Sequence, residues 1–77
     1  MDIALEELQE VIGFNVKSRR QDKKMSQLQL SEEIGHKSTT IVSQGEIGKK
    51  KHFNIEQLHK IAKVLNCNIC DFFEIKK

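Results

Sequence analysis

Three short stretches share one arrangement, and it constrains the fold more than any other feature of the chain. Met25-Ser26 with Gln29-Leu30, Phe53-Asn54 with Gln57-Leu58, and Cys67-Asn68 with Asp71-Phe72 follow the same order. Each sets an apolar residue, a Ser or Asn, an amide or acid three positions on, and a second apolar residue. That is the grammar of a helix start. The Ser or Asn side chain accepts from a free amide of the first turn, the later residue reaches back, and the apolar pair forms a staple. The pattern predicts helices over about 26–34, 54–65 and 68–74.

Apolar spacing supplies the remaining elements. Leu8, Ile12 and Val16 recur at four-residue steps inside a first helix of roughly 2–23. Leu30 and Ile34 do the same in the second, and Leu58, Ile61, Ala62 and Leu65 make the stripe of the fourth. Gly35 follows Ile34 where a helix favours a left-handed residue, so the chain turns there. Ser38 is then the expected cap of a short third helix from Thr39 to about Glu46. Proline is absent, and 77 residues support one modest core. The expectation is all-α: a compact five-helix domain over 1–77, with an acidic helical extension at 1–11 and a core at 12–73.

The third helix is odd for a core element. Between Gly35 and Glu46 the chain is crowded with Ser, Thr and Gln, and its only apolar residues are Ile41 and Val42. A helix joined to its predecessor by a short turn is a helix-turn-helix, which holds the second helix against the body and leaves one face free. Val42 is the expected inward anchor. Gln can pair with N6 and N7 of adenine, and Thr offers a hydroxyl and a methyl to a thymine. The net charge of +2 hides two basic blocks: residues 17–24 and 49–63 each carry five bases against one acid. Solvated helix faces account for such blocks equally well, but a phosphate backbone meets clusters of this kind.

Arg20, Ser26-Gln27, Leu30, Gly35, Glu46, Gly48, Leu58, Ile61-Ala62, Leu65 and Asp71-Phe72-Phe73 form a specific set. With them, the run from Ile12 to Phe73 resembles the Cro- and Xre-type helix-turn-helix family of phage and bacterial repressors, with its lambda-repressor-like fold. The resemblance implies sequence-specific binding of double-stranded DNA. It gives Thr39, Thr40 and Gln44 as base-reading positions, with Ser43 beside them. Gln27, the turn residues Lys37 and Ser38, and Lys49, Lys50 and Lys51 after Gly48 become phosphate contacts. Arg20 and Glu46 become an internal salt bridge.

Two departures from the family pattern stand out. The chain has one residue more between Gly35 and Glu46 than the commonest spacing. Counting back from Glu46 puts it in the turn, among His36-Lys37-Ser38. Gly45 stands where a large apolar residue is usual, and it is expected to cost the helix about 1 kcal/mol against Ala.

A single recognition helix buries too little to be selective. Two copies reading half-sites about 34 Å apart are therefore expected, as a homodimeric transcriptional regulator, most simply a repressor. The competing expectation is a protein-interaction or antitoxin-like module. Leu5, Leu8 and Ile12, with Glu6, Glu7 and Glu10, would then form an amphipathic docking face for a protein partner. Cys67 and Cys70 lack the further pair that structural zinc needs, so no metal and no cofactor is expected. His36, His52 and His59 are scattered, and no nucleophile motif points to an enzyme. No apolar run is long enough for a membrane span, the first residues are acidic, and a cytoplasmic, nucleoid-associated protein is expected.

Overall fold

A computed structural model describes residues 3–75. Four α-helices, α1 (Leu5–Asp22), α2 (Gln27–Glu33), α3 (Thr40–Ile47) and α4 (Ile55–Val64), are followed by a closing 3-10 helix, Ile69–Phe73. The expected fifth α-helix is thus a single tight turn. Asp71 N donates to Asn68 O at 3.0 Å, the three-residue step that short helical segments favour. Two further boundaries shift. The α3 N-cap is Thr39 rather than Ser38, without a side-chain bond, because the Ser38 hydroxyl is turned to Thr40 Oγ1 at 3.4 Å. The first helix begins at Leu5, and residue 2 of its expected span lies outside the described residues.

The helix starts close as their sequences require. Ser26 Oγ accepts from Gln29 N at 3.0 Å while Gln29 Oε1 accepts from Ser26 N at 2.8 Å. Asn54 and Gln57 make the same exchange at 2.7 and 3.0 Å. In the closing helix Asp71 Oδ2 accepts from Asn68 N at 3.1 Å. Helix ends are less openly marked. Lys24 and Asn66 take left-handed conformations after α1 and α4, with Met25 N returning to Arg20 O and Cys67 N to Ala62 O.

The core gathers one stripe from every helix. Ile12 and Val16 of α1, Leu30 and Ile34 around α2, Val42 of α3, and Leu58, Ile61, Ala62 and Leu65 around α4 are buried. Phe72 is fully enclosed among them, and Asn15 fixes its segment. The buried Asn15 amide donates to Phe72 O and Glu74 O, each at 2.8 Å. Of the docking face Leu5–Leu8–Ile12, Ile12 is in the core and Leu8 packs against it, leaving Leu5 alone exposed. Cys67 and Cys70 are free thiols. Burial pushes the Cys67 thiol up, against the opposing pull of Arg19, so it stays protonated near neutral pH.

Among the described residues, Ser31 is the one core position that breaks the rule for buried polar groups. It is fully buried in α2, and its hydroxyl has no partner among the described residues. An unpaired buried hydroxyl costs about 1–3 kcal/mol. Ser31→Ala removes it with little loss of volume and improves helix propensity. The variant is expected to gain about 1–2 kcal/mol, read as a higher urea midpoint at unchanged slope. A lower midpoint would mean the hydroxyl is bonded in solution.

Candidate nucleic-acid interface

Helix periodicity divides α3 cleanly. Val42, Gly45 and Glu46 face inward, while Thr40, Gln44 and Ile47 share an exposed stripe. Thr39 and Ser43 are half-buried on its flank, and the Ser43 hydroxyl donates to Thr40 O at 3.3 Å.

Three contacts hold this stripe outward. The first is an ion pair. Arg20 Nε donates to Glu46 Oε2 at 2.7 Å and Nη2 to Glu46 Oε1 at 3.1 Å. Arg20 Nη1 also donates to Met25 O at 2.7 Å, and both charged residues are buried. One guanidinium therefore ties α1, the α1–α2 connection and α3 together. The second is a close backbone approach: a Cβ on Gly13 would lie 2.4 Å from Gly45 O and 2.5 Å from Glu46 O. Only a glycine at 13 lets α1 sit so near α3.

The third contact sets an opposing effect beside the expected cost of Gly45. A Cβ there would lie 2.5 Å from the Phe53 ring. Phe53, arriving from the loop before α4, supplies apolar bulk there, so the helix propensity of an Ala is opposed by its contact with the ring. Sequence spacing could not show that a residue eight positions away fills this space.

The Gln27 side chain, expected at a phosphate, is engaged inside the protein. Its Nε2 donates to Glu46 Oε1 at 3.0 Å, which makes it part of the buried pair's surroundings. Its backbone N–H stands at the first position of α2, where no intrahelical acceptor exists, and remains suited to an anion.

After α3 the chain turns at Gly48, which is left-handed at φ 70° and whose N–H donates to Gln44 O at 3.0 Å. The turn is pressed against α1, since a Cβ on Gly48 would lie 2.5 Å from Gln9 O. Lys49, Lys50 and Lys51 are thereby turned to solvent. With Gln44 and Ile47 they line an open groove of about 380 Å³. The expected site residues do not all come together. Gln44 and the three lysines share this groove, whereas Lys37 and Ser38 lie exposed in the turn at the opposite end of α3. Ile47 was not anticipated. It is 61% exposed, and its position three residues after Gln44 and seven after Thr40 is the signal that would have placed it on the outward stripe.

A polar helix held outward on a helical body, beside a lysine loop, defines a DNA-binding helix-turn-helix protein. A family model described as helix-turn-helix matches residues 16–72. The chain belongs to this Cro/C1-type, Xre-like family of DNA-binding domains. The match begins within α1 and leaves out its acidic first half. Comparison with curated proteins gives no match. Among the described residues, no helix is long and apolar enough to cross a membrane.

Proposed function

We propose that the protein is a transcriptional regulator, acting in the cytoplasm as a repressor that binds its operator as a homodimer. The observation that carries this reading is the groove in which Gln44 of α3 meets Lys49, Lys50 and Lys51. A base-reading amide beside a run of phosphate-binding cations is the division of labour that selective DNA binding needs. Thr39, Thr40, Ser43 and Gln44 enter the major groove. The Gln27 amide, Lys37, Ser38 and Lys49 to Lys51 grip the flanking backbone and set the register. Ile47 adds an apolar contact at the groove wall, suited to a thymine methyl or a sugar edge.

Selection of bound fragments from a random DNA pool supplies the operator, and two variants then test the roles. Gln44→Ala is expected to lose about 1–3 kcal/mol at one base pair and to relax preference there. Lys50→Gln is expected to weaken binding to all duplexes alike and to reduce the slope against log salt by about one. Fluorescence anisotropy over a salt series reads both. The assignment fails if Lys50→Gln changes sequence preference while Gln44→Ala leaves it intact.

A further inference from the structure

Two large apolar side chains on α1 are exposed, Leu5 at its start and Phe14 at its middle. Phe14 is 61% exposed, although its neighbours Gly13 and Asn15 turn into the fold against α3 and the closing helix. Helical steps of three, four and seven from Phe14 reach the exposed Glu7, Glu10, Lys17 and Gln21 and the half-buried Val11 and Ser18. Phe14 sits at the middle of Leu5–Asp22, with the exposed Glu7 and Glu10 toward the start of the helix and the exposed Lys17 toward its end.

Acids at the start and bases at the end of a helix also suit its dipole, but that effect fades beyond the first and last turns. Glu10 and Lys17 lie deeper than that. Neither forms an ion pair with another described residue. An exposed ring flanked symmetrically by unpaired opposite charges is complementary to itself.

We propose that this stripe is the surface where two copies of the chain meet, α1 against α1, antiparallel, about a two-fold axis between the Phe14 rings. A two-fold contact must use one patch that matches itself. In the antiparallel pairing Glu10 of each copy lies beside Lys17 of the other, and Glu7 reaches the Lys17–Gln21 turn. A parallel pairing would set acid against acid. The rings form a small apolar centre and the charges its rim, which is the usual anatomy of an association surface. The inference rests on the homodimer proposed above and names its face. No residue of the stripe is among those assigned to DNA.

Sedimentation equilibrium of the full chain without DNA, at about 10–200 µM, tests it. The chain is expected to self-associate, and Phe14→Ser to weaken association by about tenfold or more, since each copy loses a buried ring. Phe14 is exposed in the single chain, so circular dichroism of this variant should match the parent. Glu10→Lys and Lys17→Glu should each weaken association, and the two together should restore it. Association untouched by Phe14→Ser, or not restored by the charge exchange, overturns the interface and leaves the homodimer reading standing. A chain that is monomeric without DNA also overturns the interface. If it stays monomeric on a palindromic operator, the homodimer reading falls with it.

Discussion

Replacing Arg20 with Met is expected to lower the free energy of unfolding by about 3–5 kcal/mol. The residue is 7% exposed, and loss of its side chain leaves the Glu46 carboxylate buried with only the Gln27 amide at 3.0 Å for company. It also leaves Met25 O without the donor that ties the α1–α2 connection to α1. For a domain of this size the deficit corresponds to a fall in Tm of about 15 °C or more. Removing both charges is a different experiment. Arg20→Met combined with Glu46→Leu takes out the stranded charge along with its partner, and apolar replacements of a buried pair are often neutral or stabilising. The double variant is expected to recover most of the loss. Thermal and urea unfolding of the two single variants and the double one give the coupling directly. Losses that simply add would show that Arg20 and Glu46 act independently, contrary to their 2.7 Å contact.

That pair also shows what kind of information the chain carries locally. Ser26 and Asn54 declare their helices because a capping box is closed by residues three apart, and neighbours in sequence are then neighbours in space. The stripes of α1, α2 and α4 were legible for the same reason, since periodicity alone selects Ile12, Val16, Leu30, Leu58 and Ile61. The outward stripe of α3 followed from its polarity and from Val42. Arg20 with Glu46 was reachable only through the family resemblance, because 26 residues separate them. Asn15 was not reachable at all. Its amide serves carbonyls 57 and 59 positions away, and nothing about an Asn within a helix announces such partners. The same holds for Phe53 above Gly45. Local preference would call that glycine a defect, whereas the Phe53 ring already occupies the space its side chain would take.

Gly13→Ala is expected to destabilise the protein by about 1–3 kcal/mol, although Ala is the better helix former by about 1 kcal/mol. The two effects oppose each other, and the geometry decides between them. The added Cβ would meet Gly45 O at 2.4 Å and Glu46 O at 2.5 Å, and both are backbone atoms of a hydrogen-bonded helix. Neither can turn aside as a side chain does, so α1 and α3 must separate. Separation stretches the Arg20–Glu46 bonds and tilts the stripe that carries Thr40 and Gln44. Loss of stability should therefore be accompanied by loss of discrimination between operator and random DNA. Gly45→Ala makes a useful contrast. Its Cβ meets the far end of the Phe53 ring, which can swing away, so the smaller cost falls on packing and less on the placement of α3. Urea midpoints and operator-to-random affinity ratios for the two variants separate these cases. If Gly13→Ala were as stable as the parent, helix propensity would have outweighed contact, and the close seating of α1 on α3 could not be what holds the recognition helix in place.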